Sequence, residues 1–370
     1  MSAIRLVPPV EAARLAASGA RLVDVRSWPE YASAHASGAI WLPRGRLERE
    51  AERLLGPAPL VLLCATGPRA LAAAEALAAA GRDGIYVVAG GTRAWQAAGL
   101  PMAEAKEDPA WLERYGRQIA LPEVGPEGQR RLGRARVGLV GVGGLGSPAA
   151  LYLAGAGVGT LRLADPDRLE RGNLHRQILH GEDWLGRPKL ASARARLASL
   201  NPEVALECWE EAVGAGNVAR FLEGCDVVVD GSDRIGLRYL LADAARAARV
   251  PLVHAAVEGF SGLLAVFDPR LPEAPCFRCL FPEEAAPEPP SCAERGVLGP
   301  VPGVFGCLQA LEALKLLLGV GEGLAGRVLV ADLLTMRLRM LRLPRDPGCR
   351  CAGGATSELA PGGAEGCVDG

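Results

Sequence analysis

The segment 137–189 limits the folds open to this 370-residue chain more than any other part of it. An apolar run over 137–140 leads into a loop with glycine at positions 141, 143, 144 and 146, and a second apolar run ends at Asp165. Small residues at this spacing let backbone N–H groups approach phosphate oxygens at a helix N-terminus. A carboxylate at the end of the second strand is placed to accept a hydrogen bond from a ribose hydroxyl. The segment therefore predicts a nucleotide-binding strand–loop–helix unit.

Two cations after the second strand favour a triphosphate over a dinucleotide as the bound nucleotide. Arg176 stands in the motif N-L-H-R-Q, which begins with Asn173, and Lys189 ends the motif G-R-P-K. Further on, the run D-V-V-V-D-G-S-D predicts a strand that carries Asp233 to the edge of the sheet where α/β proteins bind ligands. A carboxylate at that edge could bind a Mg²⁺ ion that bridges phosphates.

Each of these features has a simpler explanation when it is taken alone. The glycine loop could be a tight turn that binds nothing, and a single Arg or Lys on a helix usually lies on a solvated face. The loop and Asp165 also fit an NAD(P)-dependent oxidoreductase. That class of enzyme has no use for Arg176 and Lys189, so the complete set favours ATP.

Length, charge and composition allow this interpretation and exclude several others. A chain of 370 residues is long enough for two or three domains. Its formal net charge of −1 gives no general attraction to nucleic acid or to an anionic membrane, so neither is expected as a partner. Residues 1–20 lack the apolar core of a signal peptide, and no uncharged apolar run approaches the roughly 20 residues that span a bilayer. We therefore expect a cytoplasmic protein, in which ten cysteines indicate metal or sulfur chemistry rather than disulfides.

The pattern of apolar runs predicts an α/β chain whose first unit covers residues 1–103. Its strands alternate with helices, which indicates a small parallel sheet. The polar segment 101–109 is bounded by prolines and lacks apolar periodicity, so a linker is expected there, with bounds 104–110. The strands predicted in the first unit are 21–26, 59–64 and 85–89.

The second unit is expected to cover residues 111–351. Its first five predicted strands again alternate with helices, which indicates a Rossmann-like doubly wound sheet. The proline-rich segment 282–290 predicts a mobile loop, and the Gly-rich tail 352–370 predicts disorder. The strands of this unit are centred near Val137, Leu161, Val204, Val227, Leu252, Leu263 and Val328.

Two pairs of cysteines predict a structural metal site. Cys276 and Cys279 have the two-residue spacing of a zinc knuckle, and Cys349 and Cys351 could supply the other half. The second pair, C-R-C, is one residue shorter than the first. Four thiolates would form a closed Zn²⁺ site, and the alternative is that Cys349 and Cys351 are ordinary thiols and no metal binds. Three further cysteines in apolar or helical context are expected in the core, namely Cys208, Cys225 and Cys307.

Cys64 is the strongest candidate for a nucleophile. It ends a predicted strand and begins the loop C-A-T-G-P-R, which a long predicted helix follows. Backbone N–H groups of the loop, the helix dipole and the cation of Arg69 would stabilise a thiolate there. We expect an exposed thiol that can carry a persulfide. Asp24, Arg26 and Glu30 are expected to pair around the neighbouring strand rather than to act in catalysis.

From about Trp111 to Cys351 the chain resembles the ubiquitin-activating-like adenylyltransferases of sulfur-carrier activation, the MoeB/ThiF/HesA group. It departs from the common pattern at His175 and Arg234, where Gln and Asn are usual. The resemblance rests on nine motifs in order: R-Y-G-R-Q-I, G-V-G-G-L-G-S, A-D-P-D, N-L-H-R-Q, G-R-P-K, G-S-D, P-C-F-R-C-L, S-C-A-E-R-G-V-L-G-P and L-Q-A-L-E-A-L-K.

This resemblance implies that the nucleotide is ATP and that Asp233 holds Mg²⁺. It implies that Arg117 reaches into the active site of the neighbouring subunit of a homodimer, as an arginine finger does. It also implies that Cys292 forms a covalent link to the substrate protein during sulfur transfer, the alternative being an incidental exposed thiol. The ATP-binding residues so implied are Gly141, Gly143, Gly144, Gly146, Asp165, Asn173, Arg176 and Lys189.

Residues 3–103 resemble a single-domain rhodanese. The resemblance rests on L-V-D-V-R, Glu30, the H-A-S-G-A stretch at His35, the loop at Cys64 and G-G-T-R-A-W. The loop keeps the C-x-x-G-x-R pattern of an active domain, with Ala70 where Ser or Thr is common. In fusions of this kind the rhodanese module usually follows the adenylation unit, whereas here it comes first.

Together the two resemblances imply an adenylyltransferase–sulfurtransferase. One unit would adenylylate the C-terminal Gly-Gly carboxylate of a ubiquitin-like sulfur carrier, and the other would deliver sulfur from a persulfide to give a thiocarboxylate. The donor would be a cysteine desulfurase persulfide or thiosulfate, and the pathway that of molybdopterin, thiamine, tRNA thiolation or a cysteine-related carrier. The alternatives are an NAD(P)-dependent oxidoreductase, a non-catalytic rhodanese and zinc interaction module, and an enzyme that adenylylates tRNA-linked carboxyls, which the lack of a basic surplus disfavours.

Overall fold

The computed structural model describes residues 4–104, 107–282, 296–349 and 351, apart from the side chain of Arg53. The chain divides into two compact units, Met1–Gln129 and Arg130–Gly370. The predicted mobile loop over 283–290, Cys292 and the tail over 352–370 lie outside the described residues.

The first unit is built on a five-stranded parallel sheet, as the alternation of apolar runs and helices predicts. The strand order is β1-β6-β5-β2-β4, and all four residues of the central strand β5 are buried. The elements are β1 (Ile4–Val7), α1 (Pro9–Ala17), β2 (Arg21–Asp24), α2 (Trp28–Ser33), β3 (His35–Ala36), β4 (Ile40–Trp41), α3 (Arg44–Leu55), β5 (Leu60–Leu63), α4 (Pro68–Ala79), β6 (Ile85–Val88), α5 (Gly91–Ala97), β7 (Met102–Ala103), α6 (Pro109–Ile119) and α7 (Gly125–Arg134).

Helix α6 begins inside the segment predicted as a linker. Asp108 caps it by accepting a hydrogen bond from the N–H of Ala110 at 2.9 Å, and Pro109 occupies the first turn, where its missing N–H costs nothing. The compact first unit includes this helix and extends to Gln129. The predicted domain bounds, 1–103 and 111–351, therefore stay predictions.

The second unit contains an eight-stranded sheet in the order β10-β9-β8-β11-β12-β13-β14-β15. Its first five strands pair in parallel, which confirms the doubly wound prediction, and the last three extend the sheet as antiparallel strands. The elements are β8 (Arg136–Val140), α8 (Gly146–Gly155), β9 (Thr160–Ala164), α9 (Lys189–Leu200), β10 (Ala205–Trp209), α10 (Val218–Leu222), β11 (Val227–Asp230), α11 (Ile235–Ala247), β12 (Leu252–Glu258), β13 (Ser261–Phe267), α12 (Phe277–Leu280), α13 (Pro300–Leu318), β14 (Arg327–Asp332) and β15 (Arg337–Arg342).

Helix α13 is the long core helix of the second unit. Among the described residues it is the one helix long and apolar enough to cross a membrane by length and composition. It packs against α8 and against strands β11, β12 and β13, and half of its apolar stretch is buried. The same helix also carries Glu312 and Lys315, which form an ion pair. Its apolar character is therefore explained by the core that it fills.

Candidate functional site

A pocket opens in the second unit at the carboxyl ends of β8 and β11, the neighbouring strands where the order of the sheet reverses. Open α/β sheets bind ligands at such a switch point. The pocket is an open cleft that combines backbone, apolar side chains and a few charged groups, which is the usual make-up of a small-molecule site. Seven residues that the sequence singled out line it: Gly141, Gly143, Gly144, Asp165, Arg176, Lys189 and Asp233.

The loop after β8 requires glycine at two positions in particular. Gly141 has a φ of +86°, and a Cβ there would lie 2.7 Å from the carbonyl oxygen of Gly231. A Cβ on Gly146, the first residue of α8, would overlap the carbonyl oxygen of Gly141. The loop therefore packs directly on the backbone that follows β11. The first N–H groups of α8, which have no partner within the helix, can then face an anion in the pocket.

Asp165 and Lys189 supply opposite charges beside this loop. The two carboxylate oxygens of Asp165 each accept one backbone hydrogen bond, from the N–H of Val142 and of Asp167, both at 2.9 Å. Burial raises the pKa of the Asp165 carboxyl, and the charge of Lys189 opposes this effect. Lys189 is only 5% exposed, and its Nζ donates to Asp167 Oδ2 at 2.7 Å. Each oxygen of Asp165 keeps a second lone pair with which it can accept a ligand hydroxyl.

The other predicted ligands differ in how directly they face the pocket. Arg176 lines it and is partly exposed, and its Nη1 donates to the carbonyl oxygen of Gly172 at 2.9 Å. Neither Gly146 nor Asn173 is among the described lining residues, and Asn173 instead closes a short 3₁₀ turn. Arg117 lies on α6 in the first unit, where it is exposed.

A buried carboxylate that the sequence did not single out holds the loop that carries Asp233. Asp230 ends β11 with no exposed surface, and its Oδ1 accepts hydrogen bonds from the N–H and the hydroxyl of Ser232 at 2.9 and 2.6 Å. Its Oδ2 accepts from Nδ1 of His254 at 2.7 Å, and Arg238 donates to the carbonyl oxygen of Ser232, also at 2.7 Å. Burial alone would raise the pKa of Asp230, but the His254 hydrogen bond and the charge of Arg238 outweigh it and hold the pKa below its usual value. The backbone before Asp233 is therefore fixed.

Replacing His254 with phenylalanine should lower the free energy of unfolding of the second unit by about 1.5–3 kcal/mol, because a hydrogen bond to a buried charge is lost. Burial lowers the pKa of His254, so the ring is neutral near pH 7 and Nδ1 carries the proton that Asp230 accepts. His254→Asn, whose amide can donate to the same carboxylate, should recover part of the loss. The measurement is urea unfolding, and a His254→Phe protein as stable as the wild type would contradict the prediction.

The four cysteines of the predicted metal site come together in the second unit. Cys276 Sγ lies 3.8 Å from Cys279 Sγ and 3.5 Å from Cys349 Sγ, and Cys279 Sγ lies 3.5 Å from Cys351 Sγ. All four sulfurs fall within 4.8 Å of one another. Zinc–sulfur bonds of ≈ 2.3 Å in a tetrahedron place neighbouring sulfurs about 3.8 Å apart, so the cluster is compatible with zinc. The shortened C-R-C pair does not prevent the fourth sulfur from joining it.

The three cysteines that were expected in the core differ in burial. Cys225 is buried, as expected for a core residue, and burial raises its pKa to about 11. Cys208 and Cys307 are half-buried, and burial raises the pKa of each. All three thiols are therefore protonated near pH 7, which agrees with a packing role.

Cys64 follows β5 and begins the loop that leads into α4. Its Sγ accepts a hydrogen bond from the N–H of Gly67 at 3.0 Å, so the loop does direct an N–H group at the sulfur. The expectation of an exposed thiol is wrong, since Cys64 is 1% exposed. The side chain belongs to the hydrophobic core of the first unit, and the start of α5 covers the backbone: Thr92 donates its N–H to the carbonyl oxygen of Cys64 at 2.7 Å, and a Cβ on Gly91 would overlap the same oxygen.

The charges around this loop form two separate pairs. Arg26 donates to both carboxylate oxygens of Asp24 at 2.8–3.0 Å and to no catalytic group, which confirms a structural pair. Glu30 instead accepts two hydrogen bonds from the guanidinium of Arg69 at 2.6 and 2.8 Å. Glu30 also caps α2 by accepting from the N–H and hydroxyl of Ser27. The cation expected beside Cys64 is therefore already paired with a carboxylate.

The Arg69→Ala substitution should raise the pKa of Glu30 from about 2 toward 4.5, because the hydrogen bonds from Arg69 are the largest cause of its lowering. Because the pKa of Glu30 is lowered on folding, its ionised carboxylate stabilises the fold at pH values above 4.5, its ordinary pKa. This contribution is lost as the pH falls through about 2. The pair should thus stay intact at pH 4 in the wild type. Carbon-detected NMR titration of Glu30 in both proteins measures this, and an unchanged midpoint in Arg69→Ala would refute it.

Comparison with known families agrees with both units. A rhodanese-like domain matches residues 9–98, and the ThiF family matches residues 115–351. The second match covers more than half of the chain, so the chain belongs to the ThiF family. It is an enzyme that combines an adenylyltransferase with a sulfurtransferase domain, and adenylyl transfer implies the use of ATP.

Three relatives show how far the similarity extends. The SAMP-activating enzyme E1 of Haloferax volcanii is 49% identical over 66% of this chain and 90% of its own length. The sulfur carrier protein adenylyltransferase of Thermus thermophilus is 48% identical over 65% of this chain and 91% of its own length. The adenylyltransferase and sulfurtransferase MOCS3 of Drosophila yakuba is 43% identical over 64% of this chain and 52% of its own length.

Solved structures support the fold over about two thirds of the chain. Escherichia coli MccB superposes with a TM-score of 0.59 over 70% of this chain and 77% of its own, at 20% sequence identity. The structure of MccB with ATP gives a TM-score of 0.55 at 21% identity, over 67% of this chain and 75% of its own. At these identities the likeness establishes the fold, and the functional argument depends on the sites themselves.

Proposed function

We propose that this protein converts the C-terminal Gly-Gly carboxylate of a ubiquitin-like sulfur carrier into a thiocarboxylate. One observation carries the proposal: a single chain holds a switch-point pocket with Asp165, Lys189 and Asp233, and a rhodanese-like domain with Cys64 at its strand end. The first can make an activated carboxyl and the second can bring a sulfur nucleophile. A sulfur carrier is also the substrate named for the relative from Thermus thermophilus.

In the first half-reaction a carboxylate oxygen of the carrier attacks the α-phosphorus of ATP. The bond from the α-phosphorus to the bridging oxygen breaks, pyrophosphate leaves, and an acyl-adenylate remains. Lys189 and Arg176 neutralise phosphate charge, and Asp165 accepts hydrogen bonds from the ribose. In this proposal Arg117 enters from the partner subunit as a further cation. The step needs positioning and charge neutralisation rather than a general base, which suits a pocket of backbone N–H groups and cations.

In the second half-reaction Cys64 carries the donor sulfur as a persulfide. Cys292 attacks the acyl-adenylate, AMP leaves, and the carrier is held as a thioester. The terminal persulfide sulfur then attacks this acyl carbon, Cys292 leaves as a thiolate, and the carrier is joined to Cys64 through a sulfur–sulfur bond. A thiol attacks the Cys64 sulfur and releases the thiocarboxylate, and a second thiol reduces the mixed disulfide. Two thiols are oxidised to one disulfide while the transferred sulfur is reduced.

Two metal ions belong to the proposal. Asp233 is an exposed carboxylate in the pocket, and hard oxygen ligands of this kind suit Mg²⁺. When bound, Mg²⁺ would neutralise charge on the phosphates. Cys276, Cys279, Cys349 and Cys351 would hold a closed zinc site, which stabilises the segment after β15 without taking part in the reaction.

We also propose a homodimer in the cytoplasm, where ATP and reducing thiols are available. Arg117 on the first unit gives the reason for a dimer, since by resemblance it completes the pocket of a second copy. The sulfur donor would be a cysteine desulfurase persulfide or thiosulfate. The pathway would be one that consumes protein thiocarboxylate, such as molybdopterin, thiamine or tRNA thiolation.

Intact-mass spectrometry of candidate carriers tests the proposal. After incubation with the enzyme, ATP, Mg²⁺ and a sulfur donor, the true carrier should gain one sulfur in place of one oxygen. Omitting the donor should leave the carrier as the acyl-adenylate or as the thioester with Cys292, and omitting ATP should leave the carrier unchanged. If no Gly-Gly carrier supports pyrophosphate exchange into ATP, the proposal is wrong.

A further inference from the structure

The helix that carries Arg117 is anchored on the rhodanese-like unit. One face of α6 presents Trp111, Leu112, Tyr115 and Ile119, and these pack with side chains of α2 and β4. Tyr115 and Ile119 are buried in this aromatic cluster, whose members from the rhodanese-like domain are Trp28, Tyr31, Ala32 and Trp41. A helix of 11 residues is marginal in isolation, so this packing supplies most of its stability.

Arg117 lies on the opposite face of the same helix. At 3.6 residues per turn, position 117 is rotated by roughly 180° from the mean direction of positions 111, 112, 115 and 119. The structure agrees, because Arg117 is exposed whereas Tyr115 and Ile119 on either side are buried. The cluster therefore fixes the rotation of α6 about its own axis, and that rotation decides where the guanidinium points.

The turn after α6 is held by the same domain. Arg46 of α3 donates to the carbonyl oxygen of Pro122 at 3.2 Å, and Arg49 of α3 pairs with Glu123 at 2.6 Å. Gly125, with a φ of +59°, lies so near the ring of Trp41 that a Cβ would come within 2.8 Å of Cζ3. Both ends of the turn are thus fixed to α3 and β4, so α6 cannot shift along its axis without breaking these contacts.

Helix α2 connects this anchor to the sulfur-carrying loop. Its Trp28 packs edge to face on Trp41 with ring centroids 5.2 Å apart, inside the aromatic cluster. Two residues later, Glu30 accepts the two hydrogen bonds from Arg69 in the first turn of α4, directly after the loop that begins at Cys64. One short helix therefore contacts both the segment that carries Arg117 and the helix that follows the Cys64 loop.

We infer that the rhodanese-like unit is the platform that positions Arg117 for adenylation, with Trp111 as a positioning residue. This inference rests on the proposed function, in which Arg117 completes the pocket of a partner subunit. It gives the order of the two domains a physical reason, since a rhodanese module placed before α6 can support the helix directly. The module then serves the first half-reaction through packing and the second through Cys64.

A double-mutant cycle in the full-length protein tests this inference. Arg117→Ala should lower kcat for carrier-dependent pyrophosphate exchange by about 10³-fold, the lower end for an arginine finger. Trp111→Ala should lower it by about 10²-fold with little change in KM for ATP, as expected for a misplaced catalytic group. In the Arg117→Ala background Trp111→Ala should cost nothing further. Trp111→Phe, which keeps the aromatic packing, should stay near wild type.

Two controls separate misfolding from mispositioning. Leu121→Ala removes an exposed side chain just after α6 and should leave exchange unchanged. Thiosulfate:cyanide sulfurtransferase activity of each variant reports on the fold around Cys64 and should be retained in Trp111→Ala. The inference is overturned if Trp111→Ala lowers kcat for exchange by the same factor with and without Arg117. It is also overturned if the Trp111→Ala protein has the kcat of the wild type. Absence of exchange in the wild type itself would instead refute the proposed function.

Discussion

The Lys189→Met substitution is expected to lower kcat for adenylation by about 10²–10³-fold, the usual cost of removing one preorganised charge from a dry site. Lys189 is the cation most completely enclosed by the pocket, being 5% exposed beside Asp165 and the glycine loop. A cation shielded from water in this way stabilises a developing negative charge far more than a solvated one does. The methionine side chain fills similar space without charge, so the change isolates electrostatics.

The fold should survive this substitution. The partner of Lys189 is Asp167, whose side chain is 62% exposed and can be solvated when the ion pair is lost. Arg196, an exposed cation on the same helix α9, gives the matched control, and Arg196→Met should leave exchange unchanged. Pyrophosphate exchange into ATP with a saturating carrier is the measurement. A Lys189→Met enzyme with wild-type kcat would show that the pocket neutralises the phosphates by another route.

The elements that the sequence predicts well are those whose signals are short-range. Short apolar runs give most of the parallel strands, although they do not indicate β1 or the two-residue β4, and the glycine spacing gives the turn after β8, where Gly141 must take a positive φ. The four cysteines are likewise predictable, because a zinc knuckle is a local pattern. In each case the residues that interact lie in one segment or carry a distinctive side chain.

The contacts that the sequence does not predict depend on strand register and on packing between distant segments. Asp230 and His254 are direct partners in the register of β11 and β12, and nothing in either strand alone indicates the pairing. His180 is similar: its Nε2 lies 3.0 Å from the carbonyl oxygen of Val142 and its Nδ1 lies 3.1 Å from the hydroxyl of Ser192, so it joins the glycine loop to helix α9. These residues hold the pocket in shape rather than line it.

The burial of Cys64 has the same origin. A strand-end cysteine before a long helix suggests an exposed nucleophile, but the loop is covered by backbone from the start of α5, where Gly91 and Thr92 contact the carbonyl oxygen of Cys64. In the proposed reaction the sulfur would therefore have to become accessible to its donor and to the activated carrier. Local opening of the loop between Cys64 and Gly67 would expose it at the cost of the hydrogen bond to Sγ and of the side chain's packing in the core of the first unit.

The Cys64→Ser substitution is expected to abolish thiocarboxylate formation while leaving adenylation within about twofold of wild type, because the serine hydroxyl keeps the packing around Cys64 and no atom of this side chain takes part in adenylation. The hydroxyl that replaces the thiol cannot hold a persulfide, yet it can still accept the hydrogen bond from Gly67 and fits the same enclosed position. The platform under Arg117 therefore stays intact. The carrier should accumulate as the acyl-adenylate or as a thioester, and pyrophosphate release should continue until the carrier is consumed.

Intact-mass analysis of the carrier and a pyrophosphate assay on the same reaction separate the two activities. Cys225→Ser is the matched control, since Cys225 is another buried thiol, and it should support the full yield of thiocarboxylate. If Cys64→Ser still forms thiocarboxylate from a persulfide donor, sulfur reaches the carrier without the rhodanese-like domain. That domain would then serve as a packing partner for α6 alone. If Cys64→Ser loses adenylation as well, the two half-reactions are coupled through α2, which lies between the Cys64 loop and the helix that carries Arg117.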